Sequence, residues 1–307
     1  MGRFLLGRLL QAILALLFLS VLIFVLSRTL GSPLDTLIAV DAPPEVEERL
    51  IKHLGLDKPW HVQYATYMGQ LFQGDLGFSI RSHVPVAELL AGRLFASIKL
   101  ALVAIGFTLI LGFPTGVIAA LNRGKFLDTM AKILALLGQS LPSFWVGILL
   151  IQLFAVRLEL LPVSGIGGPA HYILPGFTMS LFLVAGVSRL LRTGMIEVLD
   201  SEFVRFARSK GVSERFIIWK HALRNAIVPV LGFGGVYFSI LITMSIVVEV
   251  VFAWPGIGRL ALNAISLKDF PILQGVILVT GVVVIGVNFL VDFLYAFFDP
   301  RIRFSKM

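Results

Sequence analysis

The nearest approach to a nucleotide-binding element in this 307-residue chain is Gly124-Lys125. A phosphate-cradling loop of the form G-x-x-x-x-G-K-[S/T] needs a hydroxyl after the lysine to reach Mg, and here Phe126 stands in that place. No ATP site is expected on this chain by itself. Gly165 to Pro169 is glycine-rich, but it lacks the strand-to-helix setting of a dinucleotide fingerprint and reads as a loop. The histidines, His53, His61, His83, His171 and His221, are scattered, and none forms an H-E-x-x-H or similar ligand pair, so a metal or protease site is not expected. The absence of cysteine removes disulfides, thiolate metal sites and cysteine nucleophiles. Three ionisable residues fall inside long apolar runs: Arg189, Glu249 and Asp292. Such groups are functional candidates by default. Each, however, stands within a few turns of the end of its run, where snorkelling or a structural ion pair accounts for it. A proton relay would place acids near the midplane. The chain reads as a non-enzyme that binds no cofactor of its own.

The elements carrying these residues are apolar. Hydrophobic residues make up 57% of the chain and charged residues 14%, with mean hydropathy +0.93, against about 25% charged in a soluble domain. This is an all-α integral membrane protein. The net charge of +8 does not point to nucleic acid, because the basic residues gather at the ends of apolar runs, where membrane topology explains them. A hydrocarbon core of about 30 Å needs roughly 20 helical residues. Six segments qualify, approximately Leu9 to Leu30, Ile98 to Leu121, Ala131 to Val156, Tyr172 to Leu191, Ala226 to Phe252 and Ile272 to Phe298. The first exceeds a signal-peptide apolar region and lacks a small-x-small cleavage site before Gly31, so it reads as a retained anchor. With the N-terminus inside, 16 of the 26 Lys and Arg fall on the inner side, including Arg3, Arg8, Arg123, Lys125, Lys132, Arg301, Arg303 and Lys306. The short outer loops carry only Arg157, Arg259 and Lys268. Both termini are therefore expected in the cytoplasm. Three parts follow: a transmembrane helix over 1–30, an extracytoplasmic helical region over 31–97, and a five-helix core over 98–307 with a cytoplasmic loop at 193–225.

Within the extracytoplasmic region, Pro43 and Pro44 suit a helix start, Glu45, Glu47 and Glu48 favour its positive end, and Val46, Leu50 and Leu54 share a face before Gly55. A second helix begins near Pro59, with Trp60, Tyr64, Met68 and Phe72 spaced by four. Gly74 to Gly77 is a turn, and Pro85 to Leu94 a short helix leading into the second span. The three short helices either cap the outer mouth or form a packed loop domain with no partner. Pro114, Pro142, Pro175 and Pro229 interrupt spans, as kinks or as breaks lining a path. Gly112 and Gly116 form a small-x-x-x-small pair, a weak packing signal.

The cytoplasmic loop reads as helix, glycine break, helix. Ser201 caps a first helix with Phe203, Phe206 and Ala207 on one face, Arg205 and Arg208 elsewhere and Lys210 near its end, and Gly211 stops it in the left-handed conformation. Ser213 caps a second, with Glu214 in its first turn and Phe216, Ile217, Lys220, His221 and Arg224 following. Two readings remain: an amphipathic segment resting on anionic lipid, which Trp219 and the basic residues favour, or a knob that inserts into a soluble partner.

The segment from Phe203 to Val230, FVRFARSKGVSERFIIWKHALRNAIVPV, resembles the "EAA" loop of permease subunits of bacterial ABC importers, in the branch for dipeptides, oligopeptides, glutathione or nickel. Gly211 matches the motif glycine, Ala207 the second alanine and Leu223 the leucine. Arg205, Phe206, His221 and Arg224 replace the glutamate, first alanine, isoleucine and proline of the general pattern. DAPPEVEERLIKHLGLDKPWHVQY and GDLGFSI are similar to the outer region of that branch. SIVVEVVFAWPGIGRLALNAISLKDFPILQG, with Trp254, Pro255, Gly256 and Gly258, is similar to its outer loop, and VDFLYAFFDPRIR to its tail.

The resemblance implies a type I importer permease fold with six transmembrane helices, in a bacterial inner membrane. It implies pairing with a second homologous permease, two cytoplasmic ATPase subunits that supply ATP and Mg, and an extracytoplasmic substrate-binding protein. It gives an ATPase-coupling role to Arg205, Phe206, Ala207, Gly211, Val212, Ser213, Glu214, Arg215, Lys220, His221 and Arg224, and no role in nucleic-acid binding. Asp292 and Arg301 fall in the tail match, which favours structural or assembly roles. The alternatives are an ion-coupled secondary transporter acting without ATPase subunits and a non-transporting membrane scaffold.

Overall fold

The computed structural model describes residues 2–29, 44–53 and 55–298. Gly31, Pro43, Leu54 and the tail residues Arg301, Arg303 and Lys306 lie outside the described residues, as do the side chains of Arg3, Val46, Leu50 and Asp292. Helix α1 is Gly2–Thr29, α2 Pro44–His53, α3 Trp60–Phe72 and α4 Val86–Phe107. A π turn at Thr108–Gly112 carries α4 into α5, Phe113–Leu121. Then come α6, Phe126–Ser140, α7, Ser143–Leu150, a second π turn at Ile151–Arg157, and α8, Ala170–Leu199. Helices α9, Glu202–Ser209, and α10, Glu214–Phe216, lead through a third π turn, Ile217–Ala222, into α11, Leu223–Val251. Helices α12, Ile257–Ser266, and α13, Phe270–Phe298, complete the described chain.

Four of these stretches are long and apolar enough to cross a membrane: Leu6–Thr29, Val86–Leu121, Ala170–Leu199 and Phe270–Val291. Two bent pairs, Phe126–Ser140 with Ser143–Arg157 and Glu214–Phe233 with Tyr237–Val251, bring the number to six if each pair is one span. The expected short helix from Pro85 is the start of one continuous stretch from Val86 to Leu121.

The four prolines behave differently. At Pro142 the chain turns by 105°, because Leu141 takes an extended conformation with ψ 133°, as residues before proline prefer. Pro114 directly follows the π turn at Thr108–Gly112, inside the continuous stretch from Val86 to Leu121. Pro175 and Pro229 lie inside helices that continue past them.

The chain divides into two compact units, one of residues 97–254 and the other of residues 1–96 with 255–307. In the first, α8 is the central post, packed by α5, α6 and α11. The approach is backbone to backbone, which small residues permit in a bilayer, where apolar burial alone gives no drive to associate. A methyl group at Gly116 would lie 2.8 Å from the Ser188 carbonyl oxygen and 3.0 Å from Leu191 Cβ, and one at Gly112 3.3 Å from the Val184 carbonyl oxygen. The spacing of Gly112 and Gly116 thus places both glycines on α8. Gly138 of α6 meets the Leu181 carbonyl at 3.1 Å in the same sense.

In the second unit α13 packs against α1 and α12, around buried Val86, Leu90, Ile257, Ala264, Ile272 and Val276. Asp269, 1% exposed, precedes α13 and accepts the Ile272 N–H at 3.5 Å as a cap. The same carboxylate accepts the Ser79 hydroxyl at 2.6 Å and the N–H groups of Ile80 and Arg81 at 3.3 Å, fixing the loop before α4. Helix α3 docks on α1 through the Tyr64 hydroxyl, 2.8 Å from Ser20 Oγ, and through Phe24 edge-on to Tyr64. The spacing of Trp60, Tyr64, Met68 and Phe72 overstates the buried face of α3. Trp60 is 54% and Phe72 85% exposed, and the buried residue is Gln63, whose Nε2 donates to the carbonyls of Leu56 and Lys58.

Replacing Gly116 by leucine puts side-chain atoms where the α8 backbone lies. Overpacking of this kind costs about 1–3 kcal/mol, so Gly116→Leu is expected to lower the unfolding temperature in detergent. Gly7→Leu, at a helical glycine with nothing within 4 Å, is expected to leave it unchanged. Thermal scans followed by size-exclusion chromatography compare the two.

Candidate functional site

The loop predicted to do work begins where α8 ends. Ser201 takes the extended N-cap conformation, φ −71° and ψ 153°, and Ser213 does the same before α10, φ −63° and ψ 143°. Neither side chain caps its helix through a hydrogen bond; Ser201 Oγ instead donates back to the Val198 carbonyl. Glu202 in the first turn of α9 and Arg208 in its last complement the helix dipole. The stop is a Schellman motif: Val212 N–H reaches the Ala207 carbonyl at 3.2 Å and Gly211 N–H the Arg208 carbonyl at 2.9 Å, with Gly211 at φ +74°. The glycine stop read from the sequence is therefore where it was expected.

The buried face is not the expected one. Val204 is the fully buried residue of α9, while Phe203 and Phe206 are 48% and 61% exposed. On the other side of the break Ile217 and Ala222 are fully buried. Ala222 joins Val117, Ala120, Val187, Leu191 and Met195 in one apolar cluster, with Leu199 and Ile218 packed against it. Val204 and Ile217 are thus the loop's inward anchors, and Ala222 ties its far end to the core around α8. Between those anchors stands an exposed knob that gathers Arg205, Phe206, Gly211, Ser213, Glu214, Arg215, Lys220 and Arg224, with Ala207, Val212 and His221 half-buried.

Specific contacts shape the knob. Arg208 donates through Nε to Glu214 Oε1 at 2.7 Å and through Nη2 to Oε2 at 3.3 Å, forking across the glycine break. Hydrogen bonding to Glu214 pushes the Arg208 guanidinium pKa further up. The pair is exposed, so it orients more than it stabilises. Lys210 Nζ lies 4.4 Å above the Phe206 ring and Lys220 Nζ 4.5 Å above Phe216. His221 meets Phe203 and Phe216 edge-on, at 6.3 and 5.5 Å. Phe216 and Trp219 complete an aromatic, basic surface, 42% and 61% exposed.

Trp254, Pro255, Gly256 and Gly258 do not belong to that surface. Trp254 is fully buried, with Tyr172 edge-on at 4.7 Å, and its backbone N–H donates to the Glu249 carbonyl at 2.8 Å. The Glu249 carboxylate is also fully buried and accepts the Ser97 hydroxyl at 2.6 Å. Gly256 is extended before α12 and Gly258 is buried within it. Arg189 is exposed on α8. Among the described residues no group of His, Cys, Asp and Glu is placed to hold a metal.

Two features lie beyond what the sequence shows. A cavity of about 780 Å³ opens around the bend at Pro142, lined by Leu111, Thr115, Gln139, Phe144, Thr178, Phe182 and Ser188 among others, none of them ionisable. Asp128 and Arg192, distant in sequence, form a buried ion pair at the end of α8 that leads to the loop.

Residues 112–304 match the family described as the binding-protein-dependent transport system inner membrane component, and residues 1–101 match its N-terminal companion. The chain belongs to this family. It is 42% identical to a Brucella abortus (strain 2308) chain assigned by name to a peptide transport system as permease, over 99% of this chain and all of that one. It is 39% identical to the glutathione transport system permease protein GsiC of Escherichia coli O6:H1, with the same coverage. Its fold is similar to a chain of the inward-facing MetNI methionine ABC transporter, TM-score 0.58 at 15% identity, over 68% of this chain and 95% of that one. An amino acid ABC transporter chain gives TM-score 0.55 at 16% identity, over 68% and 94%. The chain is a multi-pass, non-catalytic permease subunit of a bacterial ABC importer, a role that implies ATPase and binding-protein partners.

Because Gly211 is left-handed and a methyl group there would meet nothing within 4 Å, substitution costs backbone strain alone. Asparagine tolerates this conformation, alanine pays about 1 kcal/mol, and a β-branched residue more. Unfolding temperatures are expected to fall in the order Gly211, Gly211→Asn, Gly211→Ala, Gly211→Val.

Proposed function

We propose that this chain is the first of two homologous permease subunits in an importer for di- or oligopeptides, glutathione or a related small solute. It forms half of the translocation path in the bacterial inner membrane, with both termini in the cytoplasm. The substrate class rests on the full-length relatives that carry peptide and glutathione transport in their names. The orientation rests on the Lys and Arg that gather on one side of the spans.

The observation that carries the coupling reading is the exposed aromatic and basic knob, Arg205 to Arg224, which turns Val204 and Ile217 inward and is tied to the core around α8 through Ala222. Two cytoplasmic ATPase subunits, which hold ATP and Mg, dock under the permease pair, one on this knob. ATP binding closes the ATPase dimer, the knob moves with it, and α8 and α11 carry the movement into the spans. The path changes from inward-open to outward-open, and the extracytoplasmic binding protein delivers solute. Such coupling needs contacts that differ between the two states. A lipid-resting loop provides no such difference. The uncharged cavity at Pro142 suits a path through which peptides of varied charge pass.

Reconstitution tests this. Liposomes containing both permeases, the ATPases and the binding protein are expected to accumulate labelled peptide or glutathione only with ATP. Gly211→Val is expected to cut uptake about tenfold, a typical coupling loss, while the ATPases still hydrolyse ATP and the complex still assembles. Gly211→Asn is expected to keep most uptake. Ion-driven uptake by this chain alone, or normal uptake by Gly211→Val, would contradict the proposal.

A further inference from the structure

The ion pair at the inner end of α8 is better built than a surface bridge. Asp128, in the first turn of α6, is fully buried. Its carboxylate accepts Arg192 Nε at 2.6 Å, Arg192 Nη2 at 2.9 Å and the Gly124 N–H at 2.9 Å. Lys132, one turn on, adds a fourth donor at 2.9 Å. Oδ1 takes one of these donors and Oδ2 the other three, and the planar guanidinium fork fixes direction as well as distance.

A second bond repeats the connection further along. Arg123, in the turn between α5 and α6, donates to Asp200 at 2.7 Å, just after α8 ends. From Arg192 to Asp200 is about 12 Å of helix. One turn of chain is therefore fastened to α8 at two separated points, and Ser201 begins the knob one residue past the second.

A pair serving only to hold two helices together has no reason to be ionic. Well-packed apolar residues do that at least as well, and a buried charge costs desolvation. A buried-end fork and a second, exposed bond about 12 Å away orient the turn against α8 at two points, which sets direction in a way apolar contact does not.

We propose that Asp128 and Arg192, with Arg123 and Asp200, are positioning residues for coupling. They make the α5–α6 turn and the end of α8 one rigid body, so that thrust from the knob reaches α5 and α6 together with α8. The inference rests on the reading of the knob as the ATPase contact. It adds that the path-lining helix α6 is driven from this turn as well as through its packing on α8 at Gly138.

The absence of cysteine from the chain permits a clean test in the reconstituted importer. Arg123→Cys with Asp200→Cys, which breaks that bond, is expected to lower uptake per ATP, and joining the two thiols with a reducible bis-methanethiosulfonate linker is expected to restore it, because the joined parts never separate. Loss of uptake on joining, restored by reduction, overturns the proposal. Asp128→Asn is expected to lower uptake per ATP about tenfold at unchanged assembly, and the 123–200 linker is expected to restore most of it. Unchanged uptake per ATP in Asp128→Asn also overturns it. Should Asp128→Asn fail to assemble, the linker in the otherwise unaltered chain decides. Absence of ATP-driven uptake by the unaltered importer would instead refute the proposed function, so the two failures are distinct.

Discussion

The contact of α5 and α6 with the backbone of α8 is the constraint on which the central unit depends. A bilayer offers helices no apolar reason to pair, so association rests on close packing and internal hydrogen bonds. Gly112, Gly116 and Gly138 let two helices lie against the carbonyls of Val184, Ser188 and Leu181. Toward the end of the same helix Arg192 reaches its partner Asp128, and Ala222 from beyond the loop joins the cluster around Leu191 and Met195. The cavity at Pro142 opens from the same helix, through Thr178, Phe182 and Ser188. One helix thus touches both the uncharged cavity and the knob.

Polar groups in this unit are paired rather than poised. Glu249 lies against Ser97, Asp128 is surrounded by donors, and no ionisable side chain lines the cavity. That arrangement suits a permease driven by other subunits, as membership of the family requires, and leaves proton-relay chemistry without a site among the described residues.

Long apolar runs are legible because length alone separates a span from a core helix. The glycine stop at Gly211 is legible because a left-handed residue leaves few choices of side chain. The break at Pro142 is not, since proline in a membrane helix either breaks it or is absorbed, as at Pro175, and neighbours decide which. The face of α9 misleads for a related reason. Phe203 and Phe206 are apolar enough to look buried, and only the tertiary setting reveals that Val204 is. Asp128 and Arg192 stand 64 residues apart, and nothing local in either sequence names the other. Asp269, which holds the loop before α4 from 190 residues away, is hidden in the same way.

The central claim is that the knob from Arg205 to Arg224 touches the ATPase. A single thiol at Ser213→Cys, the only one in the chain, tests it in the assembled importer with a thiol-to-amine cross-linker. The expected result is a product with an ATPase subunit whose yield changes when ATP binds, and none from Asp75→Cys in the turn between α3 and α4. An importer that transports normally while Ser213→Cys gives no ATPase product, or the same yield as Asp75→Cys, would contradict it.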